Sequence, residues 1–450
     1  MWAEDAIFYH IYPLGLCAAP QHNDFITSPV ERLNTLYAWA DHSQWLGANA
    51  WYLGPVFESE SHGYDTVDFL NVDRRLGTDS TLASLSAELH RRGMRLILDA
   101  VFNHVGRGHW AFRDVLKNGE QSVYRNWFAN LHFDGHSPYG DSFTYEGWNG
   151  HYNLVKLNLL EPAVRDHLFS ALRGWVDRYD IDGIRLDAAD CLDHEFLKQL
   201  TQFCRQLKAD FWLMGEVVHG DYRNWANPQQ LDAVTNYEAY KGVYSSLNDR
   251  NYFEIAYTLN RQFGTEGLYR DLFLYNFVDN HDVNRLASQL YNPAQLGLAY
   301  TLLFTMPGIP SVYYGSEFGV EGAKNGSDEA LRPSLDLEAL RRTCPQPELL
   351  QTVHKLAAIK HNRQALKQGD YHELVVQSER LVFMRRYGED WAVVALNASE
   401  QPHSIKIAAQ EGAFEEPMDL LFPNNKVQLI NGYLNLHIPA NSAQIIVPRF

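Results

Sequence analysis

The sequence predicts an α/β fold: an eight-stranded parallel β/α (TIM) barrel, with a subdomain inserted after the third strand and a C-terminal antiparallel β-sandwich. Three observations predict this fold. Strand-like and helix-like segments alternate through eight repeats, which is typical of a parallel barrel. A long segment rich in glycine and aromatic residues interrupts the alternation after the third strand. Beyond the last helical segment, apolar residues recur with a period of two, as in antiparallel strands.

The predicted barrel strands are short apolar segments that end in polar residues. Helical periodicity separates them, for instance over residues 81–93 and 161–179, where Pro162 suits a first helical turn. Periodicity alone does not exclude an open, doubly wound sheet. The eight predicted strands cover residues 6–13, 48–56, 94–102, 182–187, 211–218, 231–237, 272–280 and 308–315.

Two segments lie outside the β/α repeat. Residues 105–160 are too many for one connection, so we expect a small irregular subdomain over the mouth of the barrel. After a helix at 347–369, seven segments with a period of two predict the sandwich. The predicted domain limits are 1–104 and 161–368 for the barrel, 105–160 for the inserted subdomain and 369–450 for the sandwich.

Composition and charge exclude several functional classes. The chain has 450 residues and a formal net charge of −17, which argues against binding nucleic acid or an anionic membrane. Its four cysteines form no C-x-x-C pair and suggest no disulfide framework. The N-terminus lacks the basic region of a signal peptide, and no apolar run reaches membrane-spanning length. We therefore expect a cytoplasmic protein with a neutral or cationic small-molecule substrate.

Polar side chains follow four of the predicted strands where each strand ends. All strands of a parallel barrel end at the same rim, so these side chains are expected to lie together. In the fourth strand, Arg185 and Asp187 share one face, and two charges on one face of a buried strand need partners or a site. Each residue taken singly also fits a structural ion pair. The candidates are Asp99, Asn103 and His104, then Arg185 and Asp187, then Glu216, then His281 and Asp282.

Carboxylates dominate this set, which narrows the chemistry. Without a dense cluster of histidines and cysteines, a zinc site is not indicated. A divalent-metal site made of carboxylates, as in enolase-type barrels, stays an alternative. A retaining glycosidase needs one carboxylate as nucleophile and a second as general acid and then base. Arg185 would hold Asp187 ionised and correctly aimed for the first of these roles.

Four motifs, in this order along the chain, resemble the signature regions of the α-amylase superfamily of glycoside hydrolases. They are DAVFNH at 99–104, GIRLDAAD at 183–190, GEVV at 215–218 and FVDNHD at 277–282, and residues 63–78 and 308–317 match two further family stretches. The resemblance covers nearly the whole chain. It implies a retaining hydrolase that cleaves α-1,4-glucosidic bonds in linear or cyclic maltooligosaccharides and maltodextrins through a covalent glycosyl-enzyme intermediate.

The resemblance also implies a role for each site residue. The implied catalytic carboxylates are Asp187 as nucleophile, Glu216 as acid/base and Asp282 as stabiliser of the transition state. The residues implied to surround the sugar are Tyr64, His104, Arg185 and His281, with Asp99 and Asn103 as structural supports. The implied partner is an α-glucan oligosaccharide. No cofactor is implied to be required, and no clear motif supports a calcium site.

Departures from the family pattern bear on the substrate. Many α-amylases carry Lys-His where this chain has Ala189 and Asp190, and oligo-α-1,6-glucosidases carry an acid where it has Ser61. Ser316 replaces an acid in the last strand motif. The segment 215–240 is similar to cyclomaltodextrinases and neopullulanases. We therefore expect short soluble maltooligosaccharides as substrates, with maltose and glucose as the main products.

Two other functions fit the same scaffold. A glucanotransferase, or another α-glucosyl transferase, would use identical catalytic residues and pass the glycosyl unit to a sugar instead of water. A non-catalytic carbohydrate-binding relative would have lost its acids, yet all three carboxylates are present here.

Overall fold

The computed structural model describes residues 1–408, 417–424 and 427–448. Eight parallel strands form one sheet, labelled β1 to β8 in chain order. In the sheet they lie in the order β6, β5, β4, β3, β2, β1, β8, β7. A parallel bridge between Thr235 and Tyr275 joins the two outer strands, so the sheet closes into a barrel. The strands are Phe8–Ile11, Ala50–Leu53, Arg95–Ala100, Gly183–Leu186, Trp212–Gly215, Ala233–Val234, Tyr275–Asn276 and Ile309–Tyr313.

Alternation along each strand separates the barrel interior from its surrounding layer. Phe8, Ile97 and Trp212 belong to one buried cluster inside the barrel. Their sequence neighbours belong to the larger cluster that the helices cover. The chain needs glycine at 183 because a Cβ there would lie 2.3 Å from the carbonyl oxygen of Trp212 in β5. Apolar residues therefore cover most of both faces of the strands, while Asp99 and Arg185 lie towards the carboxyl rim.

Helices connect the strands and cover the barrel. They show ordinary start signals: the Thr78 side chain caps the helix that begins at Asp79, and the Asp193 side chain caps the one that begins at His194. The α-helices span Pro13–Leu16, Leu36–Leu46, Asp79–Arg91, Trp110–Asn118, Pro162–Tyr179, His194–Leu207, Tyr237–Asn248, Phe253–Phe263, Leu286–Gln289, Leu296–Thr305, Leu337–Thr343, Pro347–Asn362 and Gln364–Gln368. Within the described residues, no helix is long and apolar enough to cross a membrane.

The segment after β3 was predicted to be a small irregular subdomain, and it forms a small antiparallel sheet with one α-helix. Its strands are His104–Gly106, Gly147–Trp148 and His151–Lys156, and the last of these lies in the middle. Aromatic rings of Phe112, Phe128 and Tyr145 pack edge to face into its core. A short hairpin, Phe57–Ser59 and Thr66–Val72, lies in the preceding β2–β3 connection.

The C-terminal region is an antiparallel sandwich, which confirms the predicted architecture. A five-stranded sheet and a three-stranded sheet share one apolar core that includes Val393, Ile405 and Leu436. The sequence prediction missed the strand Pro417–Asp419, which is too short to show a period of two. One of the seven predicted segments covers 426–430, and its first residue, Lys426, lies outside the described residues. The strands β9 to β16 are Asp370–Gln377, Arg380–Tyr387, Asp390–Asn397, His403–Ala408, Pro417–Asp419, Gln428–Ile430, Tyr433–Ile438 and Ser442–Pro448.

Candidate functional site

Arg185 lies at the centre of a charged cluster inside the barrel rim. Its side chain is 3% exposed, because position 185 faces inward in β4. Nη1 donates to Asp99 Oδ1 at 2.9 Å and to Asp187 Oδ1 at 2.9 Å. Nη2 pairs with Glu216 Oε2 at 2.8 Å. One guanidinium group therefore joins carboxylates that follow or end three adjacent strands, β3, β4 and β5.

Asp99 links the Arg185 cluster to two tyrosine hydroxyl groups. Its Oδ2 accepts hydrogen bonds from the Tyr52 hydroxyl at 2.7 Å and the Tyr64 hydroxyl at 3.1 Å. The Tyr64 hydroxyl also hydrogen-bonds His281 Nε2. Asp99 is 1% exposed, so its charge is compensated by these donors and by Arg185 rather than by water. Tyr64 thus links the Asp99 side of the rim to the segment after β7.

Asp187 follows Arg185 on the same face of β4 and is also buried. Burial raises the pKa of the Asp187 carboxyl group well above its usual value, and the neighbouring Arg185 charge lowers it. The carboxylates of Glu216, Asp99 and Asp282 raise that pKa further by charge repulsion. The Arg185 charge opposes these effects and favours the ionised form of Asp187.

Glu216 is held from two sides of the rim. Its Oε2 accepts the Ala188 backbone N–H at 3.1 Å, in addition to the ion pair with Arg185. Ala188 has a left-handed backbone, with φ of 45°, so the chain turns immediately after Asp187 and aims this N–H at the carboxylate. Its Oε1 accepts from the Tyr237 hydroxyl at 3.3 Å.

Asp282 lies in the segment after β7 and contacts the side chains of His281 and Arg332. His281 Nε2 lies 2.9 Å from Asp282 Oδ2, and Arg332 Nη2 donates to Oδ1 at 2.7 Å. Burial raises the pKa of Asp282, but His281, by charge and hydrogen bond, and then Arg332 lower it by more. The result is a pKa well below the usual range, so Asp282 is ionised at neutral pH.

His104 and Asn103 bring the inserted subdomain to the site. His104 Nε2 lies 3.9 Å from Asp187 Oδ2, and Asn103 Nδ2 lies 3.1 Å from His104 Nδ1. Burial, with the nearby His62, lowers the pKa of His104 to about 3, so its ring is neutral. The Trp148 ring packs against the His104 ring with 5.6 Å between centroids. The insertion therefore reaches the carboxyl rim of the barrel through His104 and Trp148.

Every site residue predicted from the sequence lies in this one cluster. Tyr52 faces inward near the end of β2, and Tyr237 is the last residue of the sixth predicted strand, so alternation and position were signals that would have found them. Asn280, whose side-chain oxygen accepts the Asp282 backbone N–H, lies inside the FVDNHD motif. Arg332 lies in an irregular segment after β8 with no local pattern, and only the fold brings it to Asp282.

No metal site is evident around these carboxylates. Within residues 1–408, 417–424 and 427–448, no group of three or more histidine, cysteine, aspartate or glutamate side chains is arranged to hold a metal ion. The carboxylates bind Arg185 and Arg332 instead.

The two central carboxylates share Arg185 as a partner, which limits how far apart they lie. Asp187 and Glu216 bind adjacent nitrogens of the same guanidinium group. Two carboxyl groups about 5 Å apart leave no room for a water molecule opposite the acid, whereas inverting glycosidases hold them about 6.5–9.5 Å apart. The shared guanidinium keeps the pair close, which suits a nucleophile and an acid acting on the same acetal bond.

Two family models match this chain. One, described as alpha amylase, catalytic domain, matches residues 39–370. The other, described as alpha-amylase C-terminal domain, matches residues 369–446.

Individual proteins are similar over nearly the whole chain. A cyclomaltodextrinase from Bacillus sp is 31% identical over 430 residues, which are 90% of this chain and 75% of that protein. The intracellular maltogenic amylase of Bacillus subtilis is 29% identical over 81% of this chain and 63% of its own length. Among solved structures, a cyclic alpha-maltosyl-(1→6)-maltose hydrolase from Arthrobacter globiformis superposes with a TM-score of 0.84 at 26% identity, covering 100% of both chains.

Proposed function

Because the chain belongs to the α-amylase family of glycoside hydrolases, we propose that it hydrolyses α-1,4-glucosidic bonds in linear or cyclic maltooligosaccharides and maltodextrins, with retention of configuration. The observation that carries this proposal is the pair Asp187 and Glu216 on one guanidinium group. That arrangement supports a covalent glycosyl-enzyme intermediate.

In the first step Asp187 attacks the anomeric carbon while Glu216 gives its proton to the leaving glycosidic oxygen. The C1–O bond breaks, an ester forms between C1 and the Asp187 carboxylate, and the shortened sugar departs. In the second step Glu216, now a carboxylate, takes a proton from water. The water oxygen bonds to C1, the ester bond breaks and Asp187 is released.

The remaining residues have roles that follow from their contacts. We assign to Asp282, kept ionised by His281 and Arg332, the stabilisation of positive charge that develops on the sugar ring. We assign the sugar at the cleavage point to a pocket lined by Tyr64, His104, Arg185 and His281. Asp99 and Asn103 support Arg185 and His104 from behind.

The proposed substrate class rests on relatives and on two local features. Two relatives are named a cyclomaltodextrinase and an intracellular maltogenic amylase, and a solved structure is named a cyclic alpha-maltosyl-(1→6)-maltose hydrolase. Ala189 and Asp190 follow the turn after Asp187, where a Lys-His pair would otherwise bind a long chain. Ser61 donates its hydroxyl to Asp65 and supplies no acid to anchor a terminal glucose. We propose cytoplasmic maltodextrins as the substrates, since one relative is named intracellular.

Two measurements test the function. Proton NMR of fresh products from maltoheptaose should show the α-anomer first, and an initial β-anomer would overturn the mechanism. Product analysis on maltoheptaose, a cyclodextrin, pullulan, sucrose and starch in parallel should favour the first two. Products longer than the starting sugar would indicate transfer to a sugar instead of hydrolysis, and better turnover of sucrose or granular starch would refute the substrate class.

A further inference from the structure

We propose that Tyr237 and Asn280 are positioning residues that hold the acid/base Glu216 through a directed chain of hydrogen bonds. The chain runs from the segment that carries Asp282 to the carboxyl group of Glu216. This inference rests on the proposed function, since it gives the pair a task only if Glu216 transfers a proton.

The polarity of the chain is fixed at the Asn280 amide. Asn280 Oδ1 accepts the backbone N–H groups of Asp282 at 2.8 Å and Val283 at 3.2 Å. Because the amide oxygen already accepts these two hydrogen bonds, the amide nitrogen is the end that faces Tyr237. Asn280 Nδ2 donates to the Tyr237 hydroxyl oxygen at 3.3 Å.

The direction of the hydrogen bond from Asn280 determines the direction of the hydrogen bond that Tyr237 makes. Because the hydroxyl oxygen accepts from Asn280, its own proton is left to donate to Glu216 Oε1 at 3.3 Å. Burial raises the pKa of Tyr237 well above its usual value, and the Glu216 and Asp282 charges raise it further, so the phenol keeps this proton. Tyr237 therefore acts as a donor that its surroundings keep in one orientation.

The two oxygens of Glu216 have different surroundings. Oε2 is occupied by Arg185 and by the Ala188 N–H. Among the residues that the structure describes, the Tyr237 hydroxyl is the one hydrogen-bond donor to Oε1. Oε1 is thus the oxygen that carries the transferable proton, and Tyr237 sets its position. The same hydrogen bond stabilises the carboxylate that must accept a proton from water in the second step.

The Tyr237 ring is held independently of its hydroxyl group. It packs edge to face on Phe277, with 4.9 Å between centroids, and on Tyr240 at 6.2 Å. It begins a helix that the Asn236 side chain caps. Removal of the hydroxyl alone should therefore leave the ring and the fold in place, which makes Tyr237→Phe a clean test.

The test compares two leaving groups. Maltoheptaose needs a proton on its departing oxygen, whereas fluoride leaves α-maltosyl fluoride without general-acid help. Tyr237→Phe should lower kcat/KM on maltoheptaose by about 10-fold or more and change kcat/KM on α-maltosyl fluoride by less than about 3-fold. Equal losses on both substrates, or no loss on maltoheptaose, would overturn the proposal. Tyr240→Phe, in the same helix and also packed on Phe277, is the matched control and should change neither value.

A second variant tests the direction of the chain. Asn280→Asp keeps the acceptor for the two backbone N–H groups but cannot donate, so the Tyr237 proton turns away from Glu216. Asn280→Asp should also lower kcat/KM on maltoheptaose more than kcat/KM on α-maltosyl fluoride. In the double variant with Tyr237→Phe, the difference between the two losses should be no larger than in Tyr237→Phe alone. Full additivity would overturn the coupling. Inactivity of the unmodified enzyme on both substrates would instead refute the proposed function itself.

Discussion

At the scale of single residues, the site is organised by one guanidinium group that three carboxylates share. Arg185 binds Asp99, Asp187 and Glu216, and it is almost fully buried. Loss of such a group would leave several buried charges unpaired, which typically costs several kcal/mol. The carboxylates, by contrast, can be neutralised one at a time without changing shape, and that makes them the better targets for mutation.

Asp187→Asn should lower kcat by several orders of magnitude while the fold stays intact. The amide keeps the shape of the side chain and can still accept from Arg185, but it cannot form the ester with the sugar. Turnover of maltoheptaose and thermal unfolding are the measurements. Asp177→Asn, an exposed position on the helix before β4, is the control. Activity above a few per cent of the unmodified level would show that Asp187 is not the nucleophile.

The pH dependence of the first step should report on Asp187. Burial raises the pKa of Asp187, with Arg185 opposing and nearby carboxylates adding to the rise. The nucleophile must be ionised, so kcat/KM should fall on the acid side with an apparent pKa above about 4, the usual value for an aspartate. The rate of labelling by a fluorosugar that traps the glycosyl-enzyme should fall in the same pH range. An acid limb at or below that usual value would contradict the assignment.

The sequence was informative about single residues where they follow strands. Asp99, Asp187, Glu216 and Asp282 were predictable because parallel strands end at a common rim. Arg332 was not, because it reaches Asp282 from an irregular segment after β8 and no local periodicity places it there. Local sequence patterns do not predict contacts between distant segments that have no regular structure.

At the scale of elements, the inserted subdomain combines a core of its own with a face on the cleft. Phe112 is fully buried among the rings of the subdomain. Trp148, on the hairpin with His151, is only partly buried and packs on His104. We therefore propose that stability and substrate contact depend on different aromatic residues of this one small unit.

Alanine substitutions should separate these two tasks. Trp148→Ala should lower kcat/KM on maltoheptaose by about 10-fold or more, since it removes a wall beside His104. It should shift the melting temperature little. Phe112→Ala should instead destabilise the protein by about 3–5 kcal/mol, because it leaves a cavity in the subdomain core. Kinetics and thermal melts of both variants check this, and the reverse pattern would mean that Trp148 is the structural residue.

Element boundaries were predicted less well than element identity. The sixth predicted strand, 231–237, forms a continuous ladder only at Ala233–Val234, with single bridges at Leu231 and Thr235, because Asn236 already caps the next helix. The seventh, 272–280, is paired at Tyr275–Asn276, and the residues beyond leave the ladder to reach the site. Apolar character continues past the hydrogen-bonded part of a strand wherever the rim is buried, so hydrophobicity overestimates strand length.

At the scale of the whole molecule, two buried cations lie between the barrel and the sandwich. Lys360 is 2% exposed and donates to the carbonyl oxygens of Leu366 at 2.9 Å and Gly308 at 3.3 Å. Arg385, in β10, donates to the carbonyl oxygens of Gly369 and Thr305. Burial lowers the pKa of Arg385 to about 9, and burial with the Arg385 charge lowers that of Lys360 well below its usual value.

The buried lysine should make stability depend on pH above neutrality. In the unfolded chain a lysine has a pKa of about 10.4, so between the lowered pKa and that value the unfolded chain binds more protons. The free energy of unfolding therefore rises with pH through this window. Each unit of lowering is worth about 1.4 kcal/mol.

Lys360→Met removes this dependence. The difference in melting temperature, variant minus unmodified protein, should be larger at pH 7 than at pH 10. Lys198→Met, on an exposed face of the helix before β5, should show the same difference at both pH values. A pH-independent effect of Lys360→Met would mean that its ammonium group is fully compensated in the folded protein.

The shared guanidinium group has a consequence for which molecules enter the cleft. One positive charge lies among three carboxylates, in a chain whose net charge is −17. The floor of the cleft is therefore electronegative, and its low-dielectric walls strengthen that potential. A phosphate ester on a glucose unit would be repelled before any hydroxyl group could be recognised, whereas a protonated amine would be attracted. We therefore expect phosphorylated maltodextrins to be poorer substrates than unmodified ones, for an electrostatic reason.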